Sequence, residues 1–375
     1  MEEMFIQYWR LCAALVVAAR LLSAQGAKPA PDVIVFVDGE RLVGHFEQSD
    51  GASVKFKSDM VGEITVDWSK VKELHTAGKF AVLPPGADLG KHSDLTKIPQ
   101  GAIAAGDGKI TVTPATGAPQ TVAVGDAAHV VEESDFENAV HGTPNFFSEW
   151  GGTITAGASL VQATQQSRTF NTAVALVRTI PDEDWLRRRN RTTVDFSAAY
   201  GTVEQPNTAT VKTEIYHASA ERDEYLSASL FGFAETSFDH NFSQGLNLEQ
   251  SYGGGLGWSL LKRSNQSLDL KAGITYVRQS FAEDSPGRNL SGSTFEEDYR
   301  RGLRHGMEFT EQLIFSPAWN NPNALSAAAN ALVTVPVYRK MNFSFGSIDN
   351  YLHDPPPGFR KNSLQLTMGL TYALR

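Results

Sequence analysis

The sequence predicts an all-β chain: a C-terminal antiparallel transmembrane β-barrel of about twelve strands, with ten as the alternative, preceded by a small β-rich domain. Three observations predict it. The stretch Leu364 to Leu374 alternates without a break, placing Leu366, Met368, Leu370, Tyr372 and Leu374 on one face and Gln365, Thr367, Gly369 and Thr371 on the other. An apolar run near the N-terminus marks export. After that run no long apolar helix occurs, and hydrophobic residues recur at every second position, which excludes a helical membrane protein.

Taken in order, residues 1–24 read as a removed secretory signal. Leu11 to Ala19 is nine apolar residues, too few to span a bilayer, for which about 20 are needed. Small Ser23 and Ala24 suit cleavage, although Glu2 and Glu3 make the n-region acidic; a short anchor helix is the other reading. The sole cysteine, Cys12, lies inside this segment. The exported chain is therefore expected to hold together by core burial or by closing a sheet, without disulfides. A net charge of −9 with no basic stripe argues against nucleic acid as a partner.

At 375 residues the chain is long enough for two domains. Residues 32–134 are predicted to form a periplasmic β-domain. Val33 to Val37 runs into Asp38-Gly39, and Arg41 to Gln48 into Asp50-Gly51; Asp-Gly between apolar runs signals a hairpin because glycine tolerates φ > 0. Ser53 to Ser58, Gly62 to Trp68 and Val71 to Thr76 follow, and Gly101 to Glu132 repeats the pattern more weakly. Thr65 to Val71 and Thr121 to Ala127 are candidate corresponding positions of a duplication. The Pro-, Gly- and Lys-rich stretch 77–100 is expected to be a linker within this domain, and 135–149 a linker to the next.

From Trp150 to Arg375 the period-2 pattern dominates. Eleven strands are assigned, near 151–163, 167–180, 190–202, 208–220, 224–236, 244–262, 266–280, 302–316, 325–338, 340–353 and 361–374. Bacterial single-chain barrels have an even number, so a further strand between Ser291 and Arg301 brings the count to twelve. A water-soluble, lipocalin-like barrel alternates too, but ten to twelve strands enclose an interior too wide for apolar side chains to fill. The apolar face is then expected to meet lipid. Trp150, Tyr200, Tyr225, Trp258, Tyr276, Tyr338, Tyr351 and Tyr372 are candidates for the two aromatic girdles. The spacing Thr367, Gly369, Tyr372, Leu374 resembles the C-terminal signal by which outer-membrane barrels are recognised for assembly, with Arg375 trailing in place of the usual final Phe.

Asp32 to Gly44, Gly62 to Trp68, Gly253 to Trp258 followed by Leu268 to Tyr276, and Pro355 to Tyr372 together resemble the salt-induced outer-membrane protein family, also called YdiY-like, whose domain is of unknown function. The resemblance covers most of the chain. It implies an outer-membrane location and an envelope role tied to osmotic or salt adaptation, and it supplies no catalytic residues. The first hairpin departs from the family's Gly-Asn-Thr-like turn, reading Gln162-Ala163-Thr164-Gln165-Gln166-Ser167 here.

The residues themselves offer little chemistry. Gly253-Gly254-Gly255-Leu256-Gly257 lies inside an alternating run rather than between a strand and a helix, so it is read as an inner-face small-residue stretch and not a phosphate loop. The nine histidines form no ligand pair. Asp195, Lys212, Glu249, Asp269, Lys271 and Glu308 are expected to face the lumen, a mixed-charge set that suits a lumen closed by ion pairs or a weakly selective pore. No catalytic, cofactor or metal residues are assigned. The expected partners are outer-membrane lipid, the barrel assembly machinery and a periplasmic or cell-wall partner of the N-terminal domain. The expected role is structural or accessory. A small-solute channel is the first alternative, and a lipid-directed enzyme using Ser251 or Ser259 with His217 or His305 is the second.

Overall fold

A computed structural model describes residues 31–374, apart from 88, 91–92, 163–165, 184, 205–209, 264 and 283–284. The expected signal and Cys12 lie outside the described residues. The chain divides into two compact units between Gly142 and Thr143.

The first unit contains β1 (Asp32–Phe36), β2 (Arg41–Ser49), β3 (Ser53–Ser58), β4 (Gly62–Asp67), β5 (Val71–His75), β6 (Phe80–Leu83), β7 (Gln100–Gly106), β8 (Lys109–Thr113), β9 (Gln120–Ala123), β10 (His129–Glu132) and α1 (Glu133–His141). Six of the strands close on themselves in the order β1-β5-β7-β6-β10-β2 and back to β1, while β3 and β4 extend from β2, and β8 and β9 from β7. This is two copies of one wiring. In β1–β5 as in β6–β10, the first strand pairs with the second and fifth, the second with the third, and the third with the fourth. The fifth strand of each half then pairs with the second strand of the other. Trp68 and Val124 open matching 3₁₀ turns, and their N–H groups donate to Ala52 O and Gly108 O, the carbonyls just before β3 and β8. Thr65 to Val71 and Thr121 to Ala127 thus occupy the same place in the two halves.

Alternation turns the apolar set inward: Ile34, Phe46, Val54, Phe56, Leu74, Ile103, Ile110, Val112 and Val130 form one buried core. Asp32, itself buried, accepts from Phe46 N–H and Ala77 N–H at 2.8 and 2.7 Å and so ties the start of β1 to two other segments. The sequence expectation needs two corrections here. The stretch 77–100 is not simply a linker, because all four residues of β6 are buried and form a stave of the small barrel. Four consecutive apolar residues buried on both faces show no period to read. Residues 135–141 likewise belong to α1, whose Phe136 and Val140, one helical turn apart, are buried, while Glu133 and Asp135 sit in the first turn, where the helix dipole favours them.

The second unit contains β11 (Trp150–Gln162), β12 (Gln166–Ile180), β13 (Asn190–Glu204), β14 (Val211–Tyr225), β15 (Leu230–Asn241), β16 (Leu246–Arg263), β17 (Gln266–Phe281), β18 (Arg288–Gly302), β19 (Glu308–Pro317), β20 (Leu325–Tyr338), β21 (Met341–Leu352) and β22 (Asn362–Ala373). Every neighbour is antiparallel, and β22 pairs with β11 to close a twelve-stranded barrel. The strand missing from the sequence assignment is β18. Its outer face, Asn289, Ser291, Ser293, Phe295, Glu297 and Tyr299, carries too few apolar residues to stand out.

Burial in this unit is inverted. Leu256, Ile274, Phe295, Phe345 and Leu366 are exposed, while Asp269, Lys271, Glu296 and Thr371 are buried. A closed sheet that turns its apolar residues out and its charges in matches a hydrocarbon surround, not water. Among the exposed aromatics, Trp258, Tyr338 and Tyr372 lie toward the end that holds Trp150 and Ala373, and Tyr200 and Tyr276 toward the other, where half-buried Tyr351 also sits. Tyr225 departs from the expected girdle: it points inward and is buried with Phe231 and Phe233.

The barrel lumen as candidate functional site

Two cations organise the inner wall. Lys271 of β17, 5% exposed, reaches Glu221 of β14 at 2.7 Å and Glu296 and Asp298 of β18 at 2.9 Å each. Arg191 of β13 binds Asp223 of β14 at 2.6 Å and Asp269 of β17 at 2.9 Å. The network continues sideways, as Gln312 of β19 donates to Glu296 at 2.8 Å and Asn330 of β20 donates to Gln312 at 3.1 Å. Each cation also lies over an inward aromatic ring, Arg191 over Phe231 at 5.6 Å and Lys271 over Phe233 at 5.8 Å.

The glycine run explains how these side chains fit. Inward Gly253, Gly257 and Gly273 leave the wall of β16 and β17 bare, and side chains of β15 lie across it. A Cβ at Gly257 would run into the Phe231 ring, and one at Gly253 would meet the Glu235 carboxylate at 2.7 Å. Their role is close approach inside the barrel, and no helix follows them to hold a phosphate.

The mouth opposite the chain ends is crossed by side chains. The turn between β15 and β16 lies six strands from the connection between β21 and β22 in a ring of twelve, which is diametrically opposite. Gln244 of that turn nevertheless donates to Asn350 O at 2.9 Å and Lys361 O at 2.7 Å, and Ser243 meets Ser363 at 3.0 Å. Gly245, at φ +66°, offers no Cβ to the Phe359 ring that rests on it. Beneath these polar stitches Leu246, Phe281 and Leu352 form a buried apolar layer, and Arg288 holds Asp354 at 2.9 Å.

Of the residues assigned to the lumen from sequence, Asp195, Glu249, Asp269 and Lys271 lie on the inner face. Glu249 accepts from Gln279 at 2.7 Å, and Asp269 and Lys271 belong to the network above. Glu308, at the start of β19, shares that inner face with Gln312 and is half-exposed and bound by Arg300. Lys212 is corrected: β14 keeps an unbroken register, its inner set is the odd-numbered His217, Glu221 and Asp223, and Lys212 shares the outer face with exposed Tyr216. Sequence reasoning missed Arg191, Glu221, Asp223, Glu235, Glu296 and Asp298. Ending β14 at 220 removed two of these from view, and leaving β18 unassigned removed two more.

Ser251 and His217, two of the residues considered for a hydrolase, are each engaged by another group. Ser251 Oγ pairs with Thr275 at 3.0 Å, and His217 Nδ1 with Asp239 at 2.7 Å. Carboxylate oxygens of Glu221, Glu235 and Glu296 lie within 4.8 Å of one another, and the Lys271 ammonium already supplies their cation. At the other end of the unit, Thr367 and Gly369 face inward on β22, Tyr372 faces out, and Leu374 N–H donates to Gly152 O at 2.9 Å, next to the seam with β11.

A closed antiparallel barrel with an apolar exterior and a charged, hydrogen-bonded interior defines a β-barrel of the outer-membrane type. Within that class, the model of the family described as "Protein of unknown function, DUF481" matches residues 154–374, and the chain belongs to that family, the YdiY-like one. No curated protein matches by sequence. Similar solved structures include an outer membrane channel from Pseudomonas putida F1, 10% identical, covering 62% of this chain and 100% of that one with a TM-score of 0.37. The translocator domain of the autotransporter NalP from Neisseria meningitidis is 9% identical, covering 60% and 87%, with a TM-score of 0.33. BamA from Haemophilus ducreyi lacking POTRA domains 1–3 is 8% identical, covering 88% and 75%, with a TM-score of 0.22.

Proposed function

We propose that this is a structural or accessory protein of the outer membrane, with a barrel that anchors and does not conduct and an N-terminal domain that meets a periplasmic or cell-wall partner. The observation that carries the reading is the crossing of the lumen mouth by Gln244 to opposite strands, above the belt set by Lys271 and Arg191. The tie to osmotic or salt adaptation rests on the family resemblance. Thr367, Gly369, Tyr372 and Leu374 are the residues offered to the assembly machinery, since they lie on or beside the strand that closes the ring. Planar-bilayer recording on heat-modifiable protein tests the anchor reading: silence is expected, and steady single-channel steps would refute it. A second reading, a small-solute channel, draws on the excess of inward acids, Glu221, Asp223, Glu235, Glu249, Asp269, Glu296 and Asp298, over Arg191 and Lys271. Any current it carried would favour cations, as a reversal potential under a salt gradient would reveal.

A further inference from the structure

The outer wall carries a concavity that an anchoring role leaves unused. Leu230, Leu256, Trp258, Leu270, Leu313 and Phe315, from four strands, rim a groove of about 540 Å³ with Ala272 in its floor. Glu297 of β18 stands among them. The register between β17 and β18 is unbroken from Gln266↔Arg301 to Gln279↔Arg288, so Glu297, flanked by inward Glu296 and Asp298, points out of the barrel. Glu311 of β19, paired with Tyr299, lies on the same outer face, because its neighbour Gln312 reaches inward to Glu296.

Leu270 pairs with Glu297 on one side and with Trp258 on the other, so these two carboxylates stand near the level of the rim aromatics, where lipid headgroups lie. Neither has a hydrogen bond or ion pair among the described residues, whereas Glu296 and Asp298 on the inner face are met by Lys271. We propose that the groove binds one phospholipid with a primary-amine headgroup, phosphatidylethanolamine, one of its two acyl chains lying along the apolar rim and its ammonium on Glu297. Apolar walls fit a chain, and an acid at their edge calls for a cation that can donate hydrogen bonds. A choline headgroup has no N–H to give. A glycerol headgroup leaves its phosphate charge uncompensated beside two acids.

The test is native mass spectrometry of the full chain in detergent, titrated in turn with phosphatidylethanolamine, phosphatidylcholine and phosphatidylglycerol. One phosphatidylethanolamine should be retained in preference to the other two. Glu297→Gln should weaken that retention about tenfold, the ratio that ~1.4 kcal/mol represents. Ala272→Leu fills the groove floor, leaves the carboxylate in place, and should also lose the lipid. The faster-running unboiled gel band shows that each variant is folded. Equal retention of the three lipids by the parent, or undiminished phosphatidylethanolamine on either folded variant, overturns the proposal. Should Glu297→Gln not fold, Ala272→Leu and the parent's lipid preference decide.

Discussion

The chain closes a β-sheet twice, six strands around in its first unit and twelve in its second, from the same alternation with opposite outcomes. In the small barrel apolar side chains of the ring strands fill the centre, with Ile34, Leu74, Ile103 and Val130 buried. In the large one the apolar half faces out, and the centre holds Lys271, Arg191 and their carboxylates. Alternation therefore specifies that a strand has two different faces, and the circumference of the ring decides which face is inside. Six staves enclose a space that a few aliphatic and aromatic side chains fill, whereas twelve enclose one that only long, hydrogen-bonded side chains bridge.

The largest effect that would sharpen this contrast is expected from Phe56→Ala, which empties the small core and should cost the first unit about 3–5 kcal/mol. Amide hydrogen exchange on the full chain would record it as lost protection in β1–β10 with β11–β22 unchanged. Equal loss in both units would break the comparison. Next come paired arginine substitutions at residues of similar exposure, Ile274 at 64% and Val37 at 63%. Ile274→Arg places a charge against lipid and should cost about 2–4 kcal/mol if it lies near the bilayer midplane. Val37→Arg places one in water and should stay within about 0.5 kcal/mol. Urea unfolding from vesicles reads the first and hydrogen exchange the second, and matched costs would mean that both outer faces meet the same solvent.

Gly257→Ala should cost about 1–3 kcal/mol, because the new methyl meets the Phe231 ring. Pairing it with Phe231→Leu in a double-mutant cycle of gel-melting temperatures should reveal positive coupling, and strict additivity would refute the contact. The smallest effect belongs to Asp50, whose exposed carboxylate is held below its usual pKa of 3.8 chiefly by the Ser53 N–H. A depressed folded pKa stabilises above the unfolded value and fades as pH falls through the folded one. The advantage of the parent over Asp50→Asn in the first unit should thus be constant near neutrality and shrink below about pH 3.8. A difference that grows with acid would reverse the assignment.

Legibility followed locality. The strands of the large barrel were readable because each is long and pairs with its neighbour in sequence. Asp269 and Lys271 were placed correctly on one face by alternation within β17 alone. Their partners were not readable, since Lys271 meets a carboxylate fifty residues away on β14, and Arg191 meets one seventy-eight residues away. Nothing in the spacing of Glu221 or Asp223 announces those meetings. β6 escaped notice because a strand buried on both faces has no alternation, and Lys212 was misplaced because one residue of phase at a strand's start inverts its face.

The seam between β11 and β22 sets the order in which the large ring is made. Eleven of its twelve ladders join strands consecutive along the chain, so each forms as a local hairpin. The twelfth rests on four register pairs, Thr153 to Ala156 against Ala373 to Leu370, and joins Thr155 to Thr371 across 216 residues of chain. Those four rungs carry the largest single loop closure of the barrel. Until they zip, β11 and β22 are the two free edges of an open, curled sheet, so the completion of the cylinder is a late, all-or-none event set by its shortest ladder.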